Sequence, residues 1–375
     1  MALDLVADPS GWYRLTLALT YRCNMRCSYC YVHRGDGAAT MTEQTGLAAI
    51  DLGLASIQAG GMLHLGFFGG EPLLEPELLS RIASEARRRA RDQRKTVRPG
   101  VTTNGTRLVP ETIDLLSREL IDVTVSLDGT REAHDTNRRL PGGAGTHDLV
   151  AEGVRRALDA GLAVGINMVV DPSNVAWLSA GVDEIVAMGI AAIELSPNYD
   201  AAWSREALAT MTEEYEAVGE IYARCARTGR PIGVSFIDSK LAAAVRGGTP
   251  GGGRCSFGVR EVAVDPAGRL YPCERLLRDD GTALHAIGQL PGAVDPVRLA
   301  RLREPLGRVP ADCRECGLVD LCTHWCACVN NSRTGCFQEP DGLVCYMEGL
   351  AVRVTEKVMR TVLKPIPVAT GGGRS

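Results

Sequence analysis

The sequence predicts an α/β protein: a partial (β/α)6 TIM-like barrel followed by a small, loop-rich, cysteine-dense domain. Two observations carry this. Short β-like runs alternate with helix-like segments through the first 225 residues, and beyond Gly247–Gly253 that rhythm gives way to closely spaced cysteines. Six strand–helix repeats imply a parallel sheet with right-handed crossovers, and six are fewer than the eight of a closed barrel. The expected division is a core over residues 1–230, a second domain over 231–365 and a disordered tail over 366–375.

The expected strands are Leu15–Thr20, Leu63–Phe68, Gly100–Thr103, Asp122–Leu127, Ala163–Val170 and Ala191–Ser196. Apolar residues at helical spacing mark Thr42–Ala59, Pro76–Arg91, Thr146–Ala160 and Val175–Met188. Thr42, Pro76 and Pro110 sit where helices should start; Gly60, Gly161 and Gly189 sit where they should end. In the second region Glu261–Asp265 and Arg269–Pro272, joined by Pro266-Ala267-Gly268, read as a hairpin. Side chains that do chemistry should gather at the C-terminal ends of the barrel strands.

Composition narrows the role. Net charge is -4, which argues against a nucleic-acid surface, and the arginine-rich stretch from Arg81 to Arg98 reads as a solvated helix face. No apolar run reaches the roughly 18 residues of a membrane span. The N-terminus carries Asp4 and Asp8 rather than a basic, then apolar, signal sequence. A cytoplasmic location, with no membrane partner, is therefore expected. In that reducing compartment 13 cysteines in clusters point to metal rather than disulfides. They form two groups, Cys23 to Cys30 and Cys255 to Cys345, with Cys225 alone between them and read as a small buried apolar residue.

Cys23-Asn-Met-Arg-Cys27-Ser-Tyr-Cys30 follows the first strand directly. Three thiolates on one short loop suit three irons of a cubic iron–sulfur cluster and leave the fourth iron open. Zinc is the alternative that spacing alone leaves standing. The CxxxCxxC spacing, with Tyr29 before the last cysteine, resembles the signature of the radical S-adenosylmethionine superfamily. Later segments match that family's pattern in order. Gly69-Gly70-Glu71-Pro72 resembles the segment that grips the methionine amino group. Thr103-Asn104-Gly105 closes the third strand, Ser126-Leu127-Asp128-Gly129 the fourth, and His134-Asp135 with Arg138 follows. The resemblance implies that Cys23, Cys27 and Cys30 hold a [4Fe-4S] cluster. It places Ser126 and Arg138 at the ribose and carboxylate ends of S-adenosyl-L-methionine, with Asn167 and Glu194 on the adenosine side. Glu71 and Arg138 supply the acceptor and cation that a zwitterion needs.

The second group reads Cys255, Gly268-x4-Cys273, Cys313-x2-Cys316-x5-Cys322-x3-Cys326 and Cys345. This series is similar to the SPASM-type auxiliary domain of radical enzymes that modify peptides and proteins, so the second domain is expected to be an iron–sulfur domain. The resemblance implies an outer cluster on Cys313, Cys316, Cys322 and Cys345, and an inner one on Cys255, Cys273 and Cys326. That makes three clusters, all of the [4Fe-4S] type. Eight positions met by seven cysteines leave the inner cluster one ligand short. Relatives with full ligation draw on a cysteine just upstream of Cys255, and none stands there. An iron open to substrate thiolate is the expectation, with Cys328 and Cys336 as the spare cysteines that would fill it instead. A pair of zinc sites in a non-catalytic protein is the alternative of another class.

In sulfatase-maturing relatives an aspartate follows the cysteine equivalent to Cys273, where it is thought to act as base. Here Glu274 stands at that position, longer by one methylene. Sulfatase maturation is thereby disfavoured, and peptide epimerisation is a further alternative. The best match is hydrogen abstraction from a ribosomally made precursor peptide, closing a thioether or carbon–carbon crosslink. A reductant such as flavodoxin or ferredoxin would feed the first cluster. Many peptide-modifying relatives begin with a leader-binding domain. Only a short stretch precedes the first strand here, so a separate leader-binding protein, the auxiliary domain or the barrel mouth is expected to hold the peptide.

Overall fold

The computed structural model describes residues 10–32, 39–248, 255–277, 283–307, 309–322 and 326–362. The tail expected to be disordered, 366–375, and most of the glycine run lie outside these residues.

Seven successive parallel strands form the barrel part of one sheet: β1 Ser10–Thr20, β2 Ile57–Gly69, β3 Thr96–Thr103, β4 Asp122–Ser126, β5 Val164–Val170, β6 Ala192–Pro197 and the short β7 Gly233–Val234. The crossovers are α1 Glu43–Ala55, α2 Pro76–Asp92, α3 Pro110–Arg118, the pair α4 Arg131–Asn137 and α5 His147–Asp159, α6 Leu178–Ala187, and α7 Arg205–Arg227. After β7 comes α8 Ser235–Val245. The hairpin forms as β8 Glu261–Val264 and β9 Arg269–Tyr271, followed by β10 Gly288–Gln289. Because β8 lies parallel against β1, the cysteine-rich region continues the barrel's own sheet, in the order β10-β9-β8-β1-β2-β3-β4-β5-β6-β7.

Alternation along the strands sorts the two faces. Leu15, Leu17, Leu63, Leu65, Phe67, Val123, Val125, Ile166, Met168, Ile193 and Leu195 are buried under the helices. The opposite phase faces the lumen and is polar or small: Arg14 and Thr16 on β1, Gly66, Gly100 and Gly165 along the floor, Ser126, Asn167 and Glu194 at the far end.

Helix starts follow their local chemistry. Thr42 caps α1 by accepting from the Thr45 N–H, and Pro76 and Pro110 occupy the first turns of α2 and α3. Gly161 and Gly189, at φ +79° and +86°, follow α5 and α6. The helix expected to run to Ala59 stops at Ala55, and Gly60 lies inside β2. Two adjacent glycines give a helix little support, and the β1–β2 register slips at this point.

Two long helices escaped the sequence reading. α7 buries Met211, Tyr215, Val218 and Ile221. The last helices are α9 Pro296–Arg303, α10 Ala311–Arg314, α11 Ala327–Thr334 and α12 Gly342–Val362. α12 packs on α7 where Gly219 admits it: a Cβ there would stand 2.7 Å from Val354 Cγ1. The buried Lys240 of α8 pairs with Glu348 of α12 at 2.5 Å. Among the described residues no helix is long and apolar enough to cross a membrane.

Candidate active site

The loop leaving β1 carries Cys23, Cys27 and Cys30, and backbone bonds fix its path. The Arg26 N–H donates to Arg139 O at 2.7 Å and the Ser28 N–H to Asn137 O at 3.0 Å, tying the loop to the end of α4. The Ser28 hydroxyl also donates to Asn137 Oδ1. Asn104 Nδ2 donates to Asn24 Oδ1 at 2.9 Å and points at Cys23 Sγ from 3.8 Å, while the Met25 N–H points at the same sulfur from 3.4 Å. Burial pushes the Cys23 thiol up to about 11. Donors aimed at the sulfur favour the thiolate once a metal takes the proton's place.

Gly69-Gly70-Glu71-Pro72 is what allows this loop to lie against β2. The Gly70 N–H donates to Thr20 O at 2.7 Å and the Glu71 N–H to Arg22 O at 2.9 Å. Gly69 has φ +125°, and a Cβ on Gly70 would stand 2.1 Å from Arg22 O. The Glu71 side chain is fully buried. Its Oε1 accepts from the Leu73 N–H at 2.9 Å and the Thr103 hydroxyl at 2.7 Å, and its Oε2 from the Asn104 N–H at 2.7 Å. Burial raises its pKa, and the bonds from Asn104, Thr103 and Leu73 oppose the rise. About four acceptor positions exist on a carboxylate, so roughly one remains for an ammonium. Glu71→Gln will therefore weaken both fold and ligand site, because an amide N–H must face a buried donor. We expect a loss of about 1–3 kcal/mol in urea unfolding, alongside weaker S-adenosylmethionine binding by calorimetry. Parental stability with weakened binding would make Glu71 a pure ligand contact.

Tyr29 and the end of β4 meet in a buried cluster. The Tyr29 hydroxyl donates to Asp128 Oδ2. Arg138 Nη2 donates to Asp128 Oδ1 at 3.0 Å and Nε lies 3.0 Å from Oδ2, with the guanidinium 5.2 Å from the Tyr29 ring centre. The Val169 N–H adds a third donor to Asp128 at 2.9 Å. Arg138, assigned by resemblance to a methionine carboxylate, is thus engaged by Asp128 and 5% exposed. His134 is completely buried. The Thr146 hydroxyl donates to Arg138 O, so His134 Nε2 is the donor to Thr146 and Nδ1 accepts from the Asp128 N–H. Burial, then Arg138 and His147, lower its pKa to about 2, so the ring is neutral.

In the lumen, Ser126 stands opposite Asn167 and Asn167 opposite Glu194 across β4, β5 and β6. The Ser196 hydroxyl donates to Asn167 Oδ1 at 2.8 Å. Glu194 is open to the lumen yet walled by protein, and burial and the Glu274 charge raise its pKa. Glu274 begins the short turn after Cys273 and accepts from the Thr16 hydroxyl at 3.2 Å. Two lumen groups were missed from the sequence: Arg14 and Glu261, register neighbours on β1 and β8. Burial raises the Glu261 carboxyl to about 7, with Arg14 opposing and Glu274 reinforcing the rise. The available signal was a charge in the lumen phase of each strand. Tyr31 was missed as well; it stacks on Phe68 at 6.3 Å with Arg275 over its ring.

The second cysteine group separates into two places. Cys313, Cys316, Cys322 and Cys345 line one pocket, walled by Leu318 and Val344. Cys255, Cys273 and Cys326 pack against the buried cluster of Phe257, Tyr271, Ala327, Cys328 and Phe337. The expected gap at this second place is not empty of sulfur, because Cys328 lies in the same cluster beside Cys273 and Cys326. Among the described residues no three metal-type side chains converge as around a single ion. A cubic cluster spreads its thiolates over separate irons, and the donor sets here, thiols on short loops and first helical turns, suit that chemistry.

Residues 17–176 match the model of the Radical SAM superfamily. The chain is 27% identical to a PqqA peptide cyclase of Streptomyces rochei, over 82% of this chain and 77% of that protein. It is 26% identical to the mycofactocin maturase MftC of Mycobacterium tuberculosis, over 83% and 77%. In fold it matches native anSMEcpe with bound AdoMet at a TM-score of 0.79 and 17% identity, covering 93% of this chain and 99% of that one. Streptococcus suis SuiB bound to precursor peptide SuiA matches at 0.60 and 15%, over 89% and 75%. With a cysteine loop at the mouth of a partial parallel barrel, residues 17–176 form a radical SAM domain, a type that works with S-adenosylmethionine and a [4Fe-4S] cluster.

Proposed function

We propose that this enzyme is a peptide maturase that abstracts hydrogen from a ribosomally made precursor peptide and closes a thioether or carbon–carbon crosslink. The observation that carries the reading is a radical SAM core whose sheet runs on, through β8, into a region bearing two further sets of cysteines. The similarity to a PqqA peptide cyclase and a mycofactocin maturase along most of the chain supports it.

In this reading residues 1–230 form the core and 231–365 the auxiliary domain. Cys23, Cys27 and Cys30 hold the first cluster; Cys313, Cys316, Cys322 and Cys345 hold the outer auxiliary cluster; Cys255, Cys273 and Cys326 belong to the inner one. When bound, the first cluster and S-adenosylmethionine supply a carbon radical able to take a hydrogen atom from the peptide. The chain's own residues do the rest. Gly69 and Gly70 set the cysteine loop against β2, and Ser126, Asn167 and Glu194 present polar groups to the nucleoside end. Glu274, steadied by Thr16, stands ready to hold a proton released at the substrate, with Glu261 beside it. Orientation and exclusion of water are the remaining contributions. Flavodoxin or ferredoxin is the proposed reductant, the cytoplasm the proposed location, and a separate leader-binding protein a proposed partner.

The test is anaerobic incubation of the reduced protein with S-adenosylmethionine and the short peptide encoded beside its gene. The expected product has lost two hydrogen atoms, with 5′-deoxyadenosine formed in step. Deuterium uptake without mass loss would favour epimerisation. Conversion of a cysteine or serine to an aldehyde in a sulfatase peptide would favour sulfatase maturation. No 5′-deoxyadenosine under any condition would sink the proposal.

A further inference from the structure

We propose that Cys328 is the fourth thiolate of the inner auxiliary site, completing a four-cysteine set with Cys255, Cys273 and Cys326. The inference rests on the reading of this region as iron–sulfur binding and goes beyond it by closing the coordination expected to be open.

The geometry begins with α11. Cys326 caps its N-terminus and Cys328 lies in its first turn, so the two side chains issue from the same end of one helix. Cys328 is 3% exposed and belongs to the buried cluster against which Cys255, Cys273 and Cys326 all pack. Its thiol lies beside those of Cys273, which leads out of the β8–β9 hairpin, and of Cys326. The N–H groups of Phe257 and Ala327 donate to Cys255, so the same helix start that presents Cys326 and Cys328 also anchors the fourth sulfur. Four sulfurs from three segments therefore surround one place.

The other spare cysteine is in the wrong position. Cys336 lies beyond the C-terminus of α11, where its N–H donates to the Thr334 hydroxyl at 3.1 Å. Eight residues of helix separate the two ends, a rise of roughly 12 Å. A buried cysteine that merely fills space has no need to meet two other cysteines, and Cys225 shows that ordinary case on the buried face of α7. With four protein thiolates on four irons, no iron of this cluster is left to take a substrate sulfur. The cluster then serves electron transfer, and crosslinking does not depend on a substrate cysteine being held there.

The experiment uses the full chain with Cys23, Cys27 and Cys30 changed to alanine, which removes the first cluster and its open iron. Iron content and the electron paramagnetic resonance spectrum of the reduced protein are recorded with and without cyanide as the probe of an open iron. Cys255→Ala should lose one cluster's iron; if it loses none, the reading of an inner cluster itself fails. Given that loss, the parent spectrum should ignore cyanide, and Cys328→Ser should either lose the same iron or gain a cyanide-dependent shift. Cys336→Ala should match the parent. A parent spectrum that shifts with cyanide overturns the proposal without any need for the Cys328 variant to fold. So does a Cys328→Ser protein with unchanged iron, spectrum and cyanide response.

Discussion

Adding one methyl group at Gly70 will cost about as much reductive cleavage of S-adenosylmethionine as changing Cys23, Cys27 and Cys30 together to alanine. The new Cβ would stand 2.1 Å from Arg22 O, 2.6 Å from Arg22 C and 2.8 Å from Tyr21 O. These are backbone atoms, so no side chain can swing aside. Relief requires the β1 end to move away from β2, breaking the bonds from Gly70 to Thr20 and from Glu71 to Arg22. Arg22 is the residue before Cys23, so the cysteine loop moves with it. Overpacking of this kind typically costs about 1–3 kcal/mol of stability. Misplacement of about 1 Å at a reactive centre costs on the order of a hundredfold in rate. We therefore expect 5′-deoxyadenosine release to fall at least about a hundredfold, with first-cluster iron reduced and auxiliary iron retained. Gly11→Ala, where a Cβ meets nothing within 4 Å, is the control. Parental iron and release in Gly70→Ala would show that the loop tolerates displacement.

Much of this architecture was readable because local and global signals coincide in the barrel. β1, β3, β4, β5 and β6 appear where their apolar alternation predicts them, and the prolines at 76 and 110 start helices as their fixed φ requires. The cysteine loops were readable because ligand spacing is a short-range property. What the sequence hid depends on long-range contact. The match of Arg14 with Glu261 exists only once β8 has joined β1, 247 positions along the chain by residue number. α12 owes its place to α7 and α8, through Gly219 and the Lys240–Glu348 pair, and these are separated from it by more than a hundred residues. Cys328 looked like a spare because counting ignores direction; only the start of α11 aims it at Cys273. Glu71 shows the reverse case. Its position after two glycines was correctly linked to the mouth of the barrel, but its internal bonds to Thr103 and Asn104 join β2 to β3. The sequence shows a carboxylate; the donors around it belong to another strand.

Asp128→Ala will be among the most damaging single changes in the barrel, and its partner substitution will rescue it. Asp128 accepts from Tyr29, from Arg138 and from the Val169 N–H, and is 2% exposed. Removing the carboxylate leaves the Arg138 guanidinium buried without its counter-charge, and breaking a buried pair from one side costs about 3–5 kcal/mol. It also frees Tyr29, which sits between Cys27 and Cys30, so first-cluster iron should fall with stability. Asp128→Asn keeps one acceptor oxygen and the shape of the site, and should cost less. Arg138→Met with Asp128→Ala removes both charges, and apolar replacement of a whole buried pair is often close to neutral. The double variant should therefore unfold in urea at a higher midpoint than Asp128→Ala alone, a coupling of about 1–3 kcal/mol. If Arg138 acts chiefly on the cofactor's carboxylate, the outcome differs: the double variant would be no more stable than Asp128→Ala, and Arg138→Met alone would abolish S-adenosylmethionine binding in a protein of parental stability.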